Sequence, residues 1–189
     1  LNEVRRLSYL KRNNKSEFLI DAMALEYFDN NSLKFLLPDY PNIPVINGGA
    51  VWFEQETTIK DEERFLDEWT NLIRKFGGKD DDIWFAFSEN ENEKIHKFRH
   101  SISTKVNEFV TRNNFRKLGT DVAVPDGVFE ELYYFSKKLT EEAGINYVVY
   151  GHFGNSHMHF NFLPETEEQF TISKELYHKI CLYAIELNG

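Results

Sequence analysis

A chain of 189 residues with 41% apolar content and 17 phenylalanines can bury a core, as one large domain or two small ones, which excludes wholesale disorder. A net charge of −9 excludes the clustered Lys and Arg that a phosphate backbone demands, so nucleic acid is not the expected partner, and an anionic ligand needs a local cation, either a metal or an arginine. No apolar run reaches the roughly 18 residues a membrane span requires, and the single cysteine, Cys181, cannot close an internal disulfide, which points to a reducing, cytoplasmic setting.

The pattern predicts a short helix over 1–14 with a basic face at Arg5, Arg6, Lys11 and Arg12. From about 17, Phe18 to Phe28 alternates locally and reads as a strand. Asp29-Asn30-Asn31-Ser32 then offers an N-cap for a short helix through Leu36-Leu37. Pro38, Pro41 and Pro44 punctuate an extended loop, and Gly48 to Glu56 forms the next strand. Over 59–76 the apolar residues Phe65, Leu66, Trp69, Leu72, Ile73 and Phe76 have helical spacing, stopped by Gly77-Gly78. The acidic stretch from Glu54 to Glu63 is a solvated face.

Asp82-Ile83-Trp84-Phe85-Ala86-Phe87-Ser88 reads as a strand, followed by a long helix over about 90–113 capped by Ser88 or Asn90. Thr120 to Pro125 is a strand ending at proline, and 126–143 an amphipathic helix. Asn146-Tyr147-Val148-Val149-Tyr150 and the segment after Gly154-Asn155-Ser156 read as a β-hairpin, and a last helix runs from about 166 to 188. Cys181 falls on that last helix and reads as a buried, inert thiol.

Strands and helices alternate, as in a doubly wound parallel sheet. However, no Gly-rich phosphate loop follows the first strand, and several strands look one-sided. The expected fold is therefore α+β: a ferredoxin-like antiparallel sheet with helices packed on one face. No low-complexity linker divides the chain, so 1–189 reads as a single domain.

Three of the six histidines fall on the hairpin. Period-two alternation puts His157, His159 and Asn161 on one face of its second strand and Met158, Phe160 and Phe162 on the other. His152, before the turn, lies near the polar face. Imidazoles on a half-buried sheet are often plain hydrogen-bonded groups, but three on one hairpin suit a metal or a polar substrate. Arg99 on the long helix is by default a solvated charge; its functional reading is a fork for a substrate carboxylate, with Ser103 one turn later on the same face. His96 and His100 lie four apart on that helix without a His-Glu-x-x-His pattern and read as surface groups, as does the lone His178.

Tyr150-Gly151-His152-Phe153-Gly154-Asn155-Ser156-His157-Met158-His159-Phe160-Asn161 resembles the G-H-x-G-D-G-N-x-H-x-N motif of the C-terminal (cap) domain of FAD-linked oxidases. Gly151, His152, Gly154, His159 and Asn161 match; Asn155 stands for Asp, Ser156 for Gly and His157 for Asn. Three other stretches look like the family's in the same order, so the resemblance covers about 20–189. Ala24-Leu25-Glu26-Tyr27-Phe28-Asp29 is similar to A-L-E-x-x-D, Asp121-Val122-Ala123-Val124-Pro125 to D-V-x-V-P, and Arg99 and Ile102 match part of a Trp-x-x-Arg-Glu-x-Ile motif, with His96 for Trp and His100 for Glu.

The resemblance implies a cap domain, built of ferredoxin-like units, of a flavoprotein oxidising D-2-hydroxy acids such as D-lactate, glycolate or D-2-hydroxyglutarate. It implies FAD held by a separate N-terminal domain, and a divalent metal such as zinc or manganese on His152 and His159. Substrate contacts would come from Arg99 and Asn161, with Ser103 near where some members use a Thr hydroxyl. His157 would join the site or replace one contact. Gly119 stands where some members carry a substrate-binding Lys.

The start at Leu1 and the end at Gly189 both read as ends of a piece cut from a longer chain. In the resembling family the last helix continues into a Gly-rich segment with a Glu-His pair, so the piece alone is expected to be inactive and to contain no catalytic residue of its own. A histidine-triad nucleotide hydrolase is the weaker enzymatic alternative, because Asn161 replaces the third His of that motif. The non-enzymatic alternative is a ferredoxin-like ligand-binding or oligomerisation module. The acidic balance leaves open a homodimer and attachment to a membrane surface through a partner.

Overall fold

The computed structural model describes residues 1–15, 17–41, 43 and 48–189; Pro44, in the proline loop, lies outside them. Among the described residues, six α-helices and five strands follow one another along the chain. They are α1 (Asn2–Arg12), β1 (Ala24–Asp29), α2 (Asn30–Leu36), β2 (Gly49–Glu54), α3 (Glu62–Lys75), α4 (Glu89–Arg112), β3 (Val122–Ala123), α5 (Phe129–Glu142), β4 (Tyr147–Gly151), β5 (His157–Phe162) and α6 (Glu167–Glu186). The strands form one antiparallel sheet in the order β2-β1-β4-β5-β3. The fold is α+β with helices on the sheet, as the one-sided strands predict. No helix among the described residues is long and apolar enough to cross a membrane.

The chain divides into two compact units, residues 1–25 with 51–95 and residues 26–50 with 96–189. In the first unit, Val4 and Leu7 of α1 and Trp69 of α3 bury with Ile20 and Leu25, and Phe53 stacks on Trp69 with ring centroids 3.7 Å apart. α3 ends where the glycines predict. Gly77 adopts φ +85°, and Gly78 N–H reaches back to the Ile73 carbonyl at 3.0 Å, satisfying a carbonyl the helix leaves unpaired. At the start of α4, Ser88 accepts from Glu91 N–H while Glu91 accepts from Ser88 N–H, a reciprocal cap of the kind that serine and a glutamate three residues on provide.

The second unit holds the larger core. Tyr147 and Val149 of β4 and Met158, Phe160 and Phe162 of β5 point one way, against Leu132 of α5 and Leu176 and Ile180 of α6. The alternate residues of those strands point the other way, as period two requires. On that second face Phe28 meets Phe98 of α4, so α4 roofs part of it. β5 is paired along its whole length on both sides. β4 aligns Tyr150 with His159 and Val148 with Asn161. On the other side Val122 aligns with Met158, Gly119 bridges Asn161, and Thr120 N–H reaches the Phe160 carbonyl at 3.0 Å.

Three expectations are corrected. Residues 82–88 form no strand: a 3-10 turn over Asp80–Asp82 leads into extended chain with Trp84 and Phe87 about half exposed. Alternation marks an extended backbone, but a strand also needs a ladder partner, and among the described residues none is paired there. Cys181 is half-buried rather than fully buried. The first strand is also shorter than its apolar run, because 17–23 is coil and only Ala24–Asp29 pairs.

Asp29 ties the second unit together. As N-cap of α2 its carboxylate accepts from Ser32 N–H at 2.8 Å and Ser32 O–H at 2.7 Å, and it also accepts Val149 N–H of β4 at 3.0 Å. Burial pushes its carboxyl above the usual range despite these bonds. A carboxyl whose folded pKa is raised binds its proton more tightly folded than unfolded, so the stability it contributes is fully present below the ordinary Asp value and declines as pH rises through the raised one. Asp29→Ala leaves a buried Val149 N–H and an uncapped helix and should cost about 2–4 kcal/mol in urea melts. Asp29→Asn keeps the acceptor without the buried charge and should stay within about 1 kcal/mol at neutral pH while removing this pH slope.

Candidate functional site

Sheet register builds the site. Because β4 and β5 pair antiparallel with Tyr150 opposite His159, the residues that flank the turn, His152 and His157, come round to the same end of the sheet. The turn between them is a 3-10 segment, Phe153–Asn155, followed by Ser156 in the left-handed region at φ +52°. A non-glycine there is strained by about 1 kcal/mol, which the Ser156 hydroxyl offsets by donating to Asp126 Oδ1 at 2.6 Å. Gly151 has φ +145°, and a Cβ placed on it would lie 3.2 Å from the His159 ring, so only glycine lets the chain pass this close to the imidazole.

The result is a cluster of three imidazoles. His152, His157 and His159 each offer a nitrogen, all within 4.8 Å of one another, and all three side chains are partly exposed. Ring centroids lie 5.4 Å apart for His152–His157, 5.6 Å for His152–His159 and 4.7 Å for His157–His159. Nitrogens on one tetrahedral zinc, at roughly 2.0–2.1 Å from the ion, stand about 3.3–3.5 Å apart, so modest ring rotations bring this set onto an ion. The residues present therefore fit a divalent metal.

Two carboxylates flank the cluster. Continuing the β1–β4 register, in which Tyr27 faces Gly151, puts Glu26 opposite His152. Buried Glu26 contacts His152 Nδ1 at 2.6 Å through Oε1, and the same oxygen accepts from Arg99 of α4 at 2.5 Å. On the other side the β3–β5 register puts Asp121 opposite His159. Its Oδ1 lies 2.6 Å from His157 Nε2 and 3.3 Å from His159 Nδ1. The hydrogen bond with His157 holds the Asp121 carboxyl below its usual range. Burial, aided by the neighbouring His157, pushes the His159 imidazole down, so near neutral pH it is an uncharged lone-pair donor.

The structure thus brings together His152, His159 and, through Glu26, Arg99, and adds His157. Asn161 lies on the same face but is only 1% exposed; its side-chain nitrogen donates to the His159 carbonyl at 3.3 Å, and its Oδ1 is buried without a partner. That oxygen would sit 2.3 Å from a Cβ on Gly119, so a side chain at 119 would have to displace the buried Asn161 amide. Ser103 is half-buried one turn beyond Arg99. His100 lies beside Arg99 with 3.3 Å between nitrogens, His178 is exposed, and neither His96 nor His100 joins a metal-competent group among the described residues.

Sequence reading missed Glu26 and Asp121 as site residues. Each falls in a quoted motif, but its partner is 126 or 36 positions away and only strand register reveals the pairing.

Fold and site together define an α+β domain with an imidazole-rich face between two carboxylates. The chain belongs to the FAD linked oxidases, C-terminal domain family, whose model matches residues 15–189. It is the C-terminal domain of an FAD-dependent oxidoreductase, a class in which an N-terminal domain binds the flavin. No curated protein matches the chain.

Substituting Gly151→Ala should destabilise the fold by about 1–3 kcal/mol through the disfavoured φ and should displace His159. Urea melts and the histidine ring NMR signals read the two effects separately.

Proposed function

We propose that residues 1–189 act as one substrate-binding cap domain of a flavoprotein that oxidises a D-2-hydroxy acid, with His152 and His159 holding a divalent metal. The observation that carries this reading is the convergence of histidine nitrogens to within 4.8 Å on the sheet face. When bound, the ion supplies Lewis-acid polarisation of the substrate hydroxyl, and the flavin of the N-terminal domain supplies the hydride acceptor.

The chain's own residues bind and orient. Glu26, on His152 Nδ1, holds one ring and leaves its Nε2 as the lone-pair donor. Arg99, whose guanidinium is held by Glu26, is the counter-charge for the substrate carboxylate. Ser103 extends that contact along α4. Asn161, being buried, acts on the substrate side by fixing the strand at the His159 carbonyl. The absence of a side chain at 119 favours a monocarboxylate such as D-lactate or glycolate over a dicarboxylate recognised through a lysine at that position.

The test uses the full-length flavoprotein mixed anaerobically with D-lactate, glycolate and D-2-hydroxyglutarate while the flavin absorbance is followed. One of these acids should bleach the flavin, and His152→Ala and His159→Ala should each slow bleaching by on the order of 10²–10³-fold, the rate equivalent of several kcal/mol of charge stabilisation. Bleaching at the wild-type rate in both variants would remove the metal from the reading. A flavin that none of these acids reduces would remove the 2-hydroxy acid.

A further inference from the structure

We infer that His157 is a third protein ligand to the ion at His152 and His159, giving a three-imidazole centre that prefers zinc, with Glu26 and Asp121 as the positioning carboxylates. This rests on the metal-binding reading above and extends it to the ligand set and the choice of ion.

Three observations carry it. First, His157 is as close to the other two rings as they are to each other, and its centroid distance to His159, 4.7 Å, is the shortest of the three. Second, carboxylates stand behind the rings: Glu26 bonds His152 at Nδ1 and Asp121 bonds His157 at Nε2, each at 2.6 Å, and His159 Nδ1 lies 3.3 Å from the same Asp121 oxygen. The two short bonds fix the tautomer and direction of His152 and His157 and leave the opposite nitrogen of each as donor, which is what a carboxylate behind a metal-bound histidine does. Asp121 alone could draw His157 and His159 together; it is the arrival of His152, held separately by Glu26, that brings all three sets of nitrogens within 4.8 Å of one another. Third, Ser156 holds the left-handed conformation that swings His157 back toward His152, with its hydroxyl anchored on Asp126.

Three nitrogen donors favour zinc over manganese or magnesium, which suit oxygen-rich sets.

The experiment strips the full-length flavoprotein with chelator and titrates it with zinc against a chromophoric competitor, and with cobalt while recording the visible spectrum. Wild type should bind one zinc per chain, tighter than manganese, and give a cobalt spectrum that His157→Asn changes. His157→Asn should weaken zinc by at least about 10²-fold and Glu26→Gln by about 10–100-fold. The exposed His178→Asn should leave affinity unchanged. Melting of the metal-free proteins checks that His157→Asn still folds. If His157→Asn keeps wild-type zinc affinity and cobalt spectrum while His152→Ala loses both, His157 is not a ligand and only this inference falls. If wild type retains no stoichiometric ion, the metal-binding reading falls with it.

Discussion

The antiparallel register of β5 against its two neighbours decides where every polar group of the site lies. With Phe160 opposite Val149 and Met158 opposite Val122, the apolar residues of β5 enter the core and the histidines take the other face. A slip of one residue would exchange the two sets. Met158, Phe160 and Phe162 are each fully buried, and at about 1.5–3 kcal/mol apiece their burial holds the register with a free energy comparable to the net stability of a whole domain. The site is therefore as rigid as the core beneath it, and its geometry comes from apolar packing rather than from the polar groups themselves.

Charge explains why the cluster suits a cation. Glu26 is buried, and a buried carboxylate is tolerable only when paired. Arg99 and His152 share one of its oxygens, so much of the positive field of Arg99 is already engaged. Asp121, largely exposed and held in its ionised form, adds a second negative charge beside His157 and His159. Two carboxylates against one guanidinium leave the cluster attractive to a divalent ion. In a chain of net charge −9, a local cation is what an anionic ligand would need at this face.

Much of this was legible in the sequence, and the rest was not for definable reasons. Local signals were reliable: Asp29 before Ser32 is a cap because the side chain is short enough to reach the third N–H, and Gly77-Gly78 ends α3 because only glycine takes the left-handed turn freely. The polar face of β5 followed from period two alone. The strand expected at 82–88 failed because alternation reports backbone extension and says nothing of whether a neighbour is available. Glu26 and Asp121 escaped as site residues because their meaning lies in which strands are adjacent, a property of the sheet order β2-β1-β4-β5-β3 that no local window contains.

The hairpin turn shows how the chemistry of the face can change without disturbing its frame. Where the resembling motif has Gly, this chain has Ser156, and where the motif has Asn, it has His157. Ser156 keeps the left-handed backbone that glycine would adopt freely, and its bond to Asp126 offsets the strain, so the β4–β5 connection retains its path. Its neighbour can then change from an amide to an imidazole at a fixed position on the sheet. An amide would offer a weak oxygen donor or a hydrogen bond; an imidazole backed by Asp121 offers a strong nitrogen donor. The departure at Ser156 thus keeps the path of the turn, and the departure at His157 places an imidazole rather than an amide on the polar face, beside Asp121.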